Sequence, residues 1–165
     1  MPRVTLTFES RLSTTPARAW DWITSLRGIS AELAPLLRMT APKSLERLSD
    51  TTVVPGQRLF RSWVLLFGFL PVDRSDLTLV ALDVGSGFVE VSPMLGMRYW
   101  RHERTLAPIA GGTVLTDRLT FEPRFVASFV AWFIATVFRH RHAVLRRAMG
   151  VVDGDARTAE PQQAS

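Results

Sequence analysis

The chain of 165 residues contains no cysteine and no asparagine, and a single lysine stands against nineteen arginines. Without cysteine there are no disulfides, no zinc–thiolate sites and no thiol nucleophile. Long apolar runs are missing too. The longest, Phe125 to Phe138, is fourteen residues broken only by Ser128 and Thr136, and a membrane-spanning helix needs about twenty. No glycine-rich phosphate loop is present, since Gly85-Ser86-Gly87 reads as a turn. Serines and threonines occur without a triad-like context, so no hydroxyl nucleophile stands out. There are three histidines; His140 and His142 are two apart and leave a helix on different sides, so with His102 they give no metal-ligand spacing. No cofactor motif is found. The net charge of +5 comes from scattered arginines, clustered only at Arg139, Arg141, Arg146 and Arg147. That pattern fits a solvated basic surface better than a nucleic-acid footprint. The N-terminus alternates like a strand and lacks the apolar run of a signal peptide, so a cytoplasmic location is expected.

What is present is organised around Arg124 to Arg147, RFVASFVAWFIATVFRHRHAVLRR, which runs without glycine or proline for roughly 36 Å of helix. Its first half is apolar all round and is expected to be gripped by the rest of the chain; its second half is basic and expected to be half-exposed. Ahead of it, Val4 to Arg11 alternates as a strand with Val4, Leu6 and Phe8 on one face. Thr15-Pro16 caps a helix, ARAWDWITSL, ending before Gly28. Ser30 can cap a second short helix, AELAPLLRM, with Trp20, Ile23, Leu33 and Leu37 buried. A weak strand is expected near Thr51 to Val54. Strands follow over Arg58 to Leu70, Asp76 to Val84 and Phe88 to Ser92, with a turn at Pro71 to Asp73. Arg98 to Ala107 and Thr113 to Glu122 form a hairpin around Pro108 to Gly112. The class is α+β: six or seven antiparallel strands, two short helices after strand one and one long C-terminal helix. Residues 1–150 are expected to form one domain and residues 151–165 a disordered tail.

This order resembles the helix-grip fold of the START/Bet v1-like (SRPBCC) superfamily. The segments ARAWDWITSL, GMRYWRHERTL, TVLTDRLTFEP and VFRHRHAVL are similar to those of bacterial members related to the polyketide cyclase/dehydratase and CoxG-like proteins. His140 stands where an aromatic residue is more usual before the arginine. The resemblance covers residues 2–149. It implies a curved sheet wrapped around the terminal helix, with a hydrophobic cavity between them.

Period-two alternation marks the inner face of the hairpin. One strand turns Leu115, Asp117, Leu119 and Phe121 inward; its partner turns Trp100, His102, Arg104 and Leu106. If Ala107 pairs with Gly112, His102 lies directly across from Asp117, and a buried carboxylate needs such a partner. On the helix, Phe129, Phe133 and Thr136 are placed at the cavity. Arg141 shares a stripe with Ile134, Val137, Phe138 and Leu145, from which it can reach Asp117 or an acidic ligand group. The expected function is binding of a small hydrophobic or aromatic, lipid- or polyketide-like molecule, without a cofactor or metal. One alternative is a cyclase/dehydratase-type enzyme using His102 and Asp117 for acid–base chemistry. Another is a module that docks to a membrane or protein through the basic helix end. Trp63 to Leu70, apolar on both faces, suits a membrane or a second subunit. A monomer or homodimer without nucleic acid is expected, and membrane contact is not the favoured reading.

Overall fold

A computed structural model describes residues 3–48 and 54–152. Its elements run β1 (Val4–Leu12), α1 (Pro16–Thr24), α2 (Leu26–Leu33), β2 (Leu37–Met39), β3 (Arg58–Leu66), β4 (Leu70–Asp83), β5 (Gly87–Val91), β6 (Met97–Ile109), β7 (Gly112–Pro123) and α3 (Ala127–Met149). Seven antiparallel strands in the order β1-β7-β6-β5-β4-β3-β2 curl into a half-barrel around α3. This is the helix-grip architecture. The expected strand at Thr51 to Val54 lies outside the described residues except for Val54, which is in no strand. Of the expected tail, residues 153–165 lie outside them; Val151 pairs with Leu12, extending the edge beside β1.

The short helices begin and end elsewhere than their sequence suggests. Thr15 caps α1 by accepting from the Arg18 N–H, with Pro16 in the first turn. Ser25 then closes α1 and opens α2 at once: its hydroxyl donates to Trp22 O (2.9 Å) and accepts from the Gly28 N–H (3.0 Å). The second helix thus starts five residues before Ser30, and Gly28 sits inside it against the Trp22 carbonyl, where a Cβ would collide. It stops at Leu33 because Ala34 precedes Pro35 and takes an extended conformation (ψ 145°), as a residue before proline prefers. Leu37–Met39, expected to be helical, instead pairs with β3.

The β3–β4 turn also falls earlier. Phe67 and Gly68 both have positive φ (52° and 82°), so the chain reverses there, Leu66 pairs with Leu70, and Pro71 enters β4 at an irregularity in the ladder. Glycine makes this affordable at the second position.

The largest departure concerns α3. The residues it buries are Ala135, Val137, Phe138, Arg141, His142, Leu145 and Met149. The start of the apolar half is exposed: Phe125, Val126, Phe129 and Trp132 are each about 60 % accessible or more, while Ala135, Val137 and Phe138 at its end are buried. The grip thus falls on the middle and later turns, because Arg141 and His142 of the basic half find buried partners on α2 and the sheet.

Ser25→Ala removes a cap shared by two helices and is expected to cost about 1 kcal/mol. A lowered urea midpoint at unchanged slope would show it.

Candidate functional site

Between the concave sheet and α3 lies a cavity of about 590 Å³. Its walls are mostly aliphatic and aromatic, including Leu33, Val64, Leu77, Phe88, Met97 and Phe133, while Phe125 just before α3, Phe129 of α3 and Val72 of β4 border it as well. Polar side chains reach the wall at few points, among them Glu90, His102 and Arg141.

The register of the β6–β7 hairpin decides what lies behind that wall. Ile109 pairs with Gly112 across a two-residue turn, Ala110-Gly111, with Gly111 at φ 79°, as tight hairpins prefer. Ala107 therefore pairs with Val114, two residues from the expected partner, and Asp117 faces Arg104 while His102 faces Leu119. A shift of two preserves the faces. His102 becomes a diagonal neighbour of Asp117 and still reaches it, Nε2 to Oδ1 at 2.7 Å.

Asp117 accepts four hydrogen bonds, two per oxygen. Oδ1 takes His102 Nε2 and Arg104 Nε (2.7 Å); Oδ2 takes Arg104 Nη2 (2.7 Å) and His142 Nε2 (3.0 Å). Arg104 turns its remaining Nη1 to Glu32 of α2, at 2.9 and 3.2 Å from the two oxygens. Glu32 also accepts from Trp22 Nε1 (3.2 Å) and Arg141 Nε (2.9 Å). Arg104, Glu32 and Asp117 are completely buried. Two cations and two anions thus form a dry, charge-balanced cluster joining α2, β6, β7 and α3.

Charge states follow from this geometry. Burial alone would push the Asp117 carboxyl up, but the charge of Arg104, with the hydrogen bonds that Arg104 and His102 donate, holds it well below the usual carboxylate range. Burial likewise opposes the charge on Arg104, yet Asp117 and Glu32 raise its pKa above the ordinary arginine value. For Arg141 burial and the like charge of Arg104 win and lower the pKa, against the pull of Glu32 and Asp117; the guanidinium stays a cation all the same. An ionised Asp117 can only accept, so both imidazole Nε2 atoms carry hydrogen. His142 then receives the Ser10 hydroxyl at Nδ1 (2.7 Å), and Ser10 Oγ accepts from Arg146 Nη1 (3.0 Å). His142 is fully partnered. The Nδ1 of His102 faces Glu90 Oε2 at 3.7 Å, beyond hydrogen-bond length.

Of the residues singled out from sequence, Trp100, His102, Phe129, Phe133 and Arg141 line the cavity. Arg104 and Asp117 lie behind its wall in the ion cluster, and Leu115 and Leu119 are packed in the core. Thr136 is half-buried and bonds back to Trp132 O. Arg141 reaches Glu32 instead of Asp117. His140 bonds the Ala34 carbonyl.

Sequence reasoning missed Glu32, Glu90, His142 and Ser10. Each carried a periodic signal: Glu32 is three residues from Ile29, and His142 four from Phe138 and three from Leu145, on buried stripes. Glu90 alternates with Phe88, and Ser10 with Phe8 and Leu12. Among the described residues no three histidine or carboxylate side chains are arranged to hold a metal ion.

A family model described as "Domain of unknown function (DUF8410)" matches residues 10–149. Among solved structures, protein CV1439 from Chromobacterium violaceum is similar at 16 % identity and TM-score 0.68, over 90 % of this chain and 98 % of that one. Ara h 8.0201 follows at 11 % identity and TM-score 0.62, over 89 % and 97 %. A START superfamily protein from Mycobacterium smegmatis is similar at 10 % identity and TM-score 0.59, over 89 % and 96 %. No curated protein matches the chain. At such identities the likeness establishes the fold, which is that of the START/Bet v1-like superfamily.

Asp117 gives a pH prediction. Its folded pKa lies below the unfolded value of about 3.9, so the stability it contributes is fully present above that pH and lost as pH falls toward the folded value. Asp117→Asn should cost about 3–5 kcal/mol near neutral pH by stripping Arg104 of an anion. It should also flatten the acid limb in urea melts taken across the pH range.

Proposed function

The chain belongs to the DUF8410 family, whose description assigns no activity, and on its site geometry we propose that it binds a small apolar, ring-containing molecule in the cavity between sheet and α3. The observation that carries this reading is the cavity itself: about 590 Å³, within the range of small-molecule sites, mostly apolar with a few polar groups converging on it. The ion cluster behind the wall supports binding over acid–base catalysis by a His102–Asp117 pair. All of the Asp117 acceptor positions are taken and its carboxyl is held ionised, so it orients His102 and is no base itself. What remains for proton transfer is His102 alone. Leu77→Trp, on β4 and facing the cavity, places an indole where the ligand would sit. Binding of 1-aminoanthracene, followed by its fluorescence, should weaken at least about tenfold with the circular dichroism unchanged. Undiminished binding would place the probe elsewhere.

A second reading, membrane contact, is favoured by a different surface from the basic helix end. There Arg141 is buried against Glu32 and Arg146 is engaged with Ser10. Exposed apolar side chains gather instead at the start of α3 (Phe125, Val126, Phe129, Trp132) and on the β3–β4 turn (Phe67, Phe69, Leu70), with Phe125, Phe129 and Val72 bordering the cavity. Arg38 and Arg124 are exposed beside them. No helix among the described residues is long and apolar enough to cross a membrane; aromatic rings flanked by arginine suit its surface. The wild type should co-float with vesicles containing anionic phospholipid, and a Phe129→Ser/Trp132→Ser double variant should not. Equal flotation of both would remove this reading.

A further inference from the structure

At the cavity wall Glu90 and His102 face each other across a gap too long for a hydrogen bond. His102 is 3 % exposed, and its Nε2–H is committed to Asp117. Its Nδ1 has no hydrogen-bond partner among the described residues and lies 3.7 Å from Glu90 Oε2. Glu90 is held in place from its other oxygen: the Ser92 hydroxyl donates to Oε1 at 2.5 Å, and Ser92 Oγ accepts from the Thr78 N–H at 3.2 Å. The pairing is structural, because Glu90 and His102 are direct cross-strand partners on the inner face of β5 and β6. Both line the cavity. Glu90 Oε2 and His102 Nδ1 are thus polar atoms in an apolar enclosure without the hydrogen-bond partner such atoms need.

Around this gap the wall is aromatic. Phe88 and Phe138 each meet the His102 ring edge to face, at 5.5 and 5.3 Å between centroids. The Arg141 guanidinium lies 4.8 Å from the Phe138 ring centroid. Its Nε and Nη2 are spent on Glu32, and Nη1 has no hydrogen-bond partner among the described residues.

The charges matter as much as the gap. Arg104 and Arg141 balance Glu32 and Asp117, so the buried cluster has no positive charge to spare, while Glu90 adds a negative one at the wall. An ionised carboxylate ligand would bring another negative charge beside Glu90, while the charge of Arg141 is already paired with Glu32. A hydroxyl on a ring meets the opposite situation: its one O–H donates to Glu90 and its oxygen can lie against His102 Nδ1, while its ring packs on Phe88 and Phe138.

Resting on the cavity reading above, we infer that the ligand is a neutral hydroxylated ring compound, a phenol or ring alcohol. Its hydroxyl is recognised by the Glu90–His102 pair, and ionised carboxylic acids of the same size are discriminated against.

Equilibrium dialysis of the full chain against 2-naphthol, naphthalene and 2-naphthoate tests this. The hydroxyl should make 2-naphthol bind about tenfold to a hundredfold more tightly than either of the others, the range for a hydrogen bond to a charged group. Glu90→Met, of similar length and without an acceptor, should bring 2-naphthol to within about threefold of naphthalene in the same variant. Equal binding of all three to the wild type would overturn the hydroxyl inference and leave the cavity reading standing, as would tightest binding by 2-naphthoate. Failure of all three to bind would overturn both. Should Glu90→Met fail to fold, the wild-type ranking still decides.

Discussion

The placement of α2 and α3 on the sheet depends on the bidentate pairing of Arg104 with Asp117 and its continuation to Glu32. Placing these groups beyond the reach of water costs several kcal/mol per ion, and their mutual attraction offsets that only when geometry and hydrogen bonding are nearly complete. Here they are. Asp117 receives a donor at each of its four acceptor positions, and Glu32 is met by Trp22, Arg104 and Arg141. A planar guanidinium can serve two carboxylates at once because its donors are fixed in a fork, and lysine could not replace it. The cluster stabilises less than an equal volume of well-packed leucine would, but it is directional: its hydrogen bonds fix α2 and α3 against the sheet.

That directional bonding explains what could and could not be read from the chain. Strand alternation placed Trp100, His102, Arg104, Leu115, Asp117 and Leu119 on the inner face, and the hairpin carries them there because a two-residue error in register leaves faces unchanged. The identity of Asp117's direct partner was lost to that same error, since it depends on whether the turn is Ala110-Gly111 or a longer loop. On the helices the failure was of another kind. Reading α3 by hydropathy put the apolar half inside and the basic half out. The structure has Arg141 and His142 buried because Glu32 and Asp117 wait for them, and those carboxylates lie 109 and 25 positions away. Charge complementarity over such separations leaves no local signal in one sequence. Glu32 was hidden further by a misplaced helix, whose true start is Ser25 and whose end is dictated by Pro35.

Cavity and cluster are two faces of one design. The cluster removes Arg104, Asp117 and His142 from the chemistry of the interior, and the cavity meets only the edges of the network, at His102 and Arg141 with Glu90 beside them. An interior lined mostly by aliphatic and aromatic groups thus offers a cluster of polarity there. The aromatic residues uncovered at the start of α3 sit at the other side of the same enclosure, where Phe125 and Phe129 border it. Apolar surface is therefore continuous from the outside of the molecule to its interior.

The linkage of Ser10 through His142 to Asp117 bears on how the protein is made. Ser10 belongs to the first strand and His142 to the last helix, so the ends of the chain are tied through one imidazole. During synthesis Glu32, Arg104 and Asp117 leave the ribosome well before Arg141 and His142 do. Until then the sheet has no lid and its carboxylates lack two of their donors. The nascent chain can form hairpins, which need only local pairing, but the long-range closure that orders the interior waits for the final helix. Folding to the native state therefore waits for α3, and a ribosome that stalls anywhere before it leaves an open apolar trough exposed to whatever chaperones are at hand.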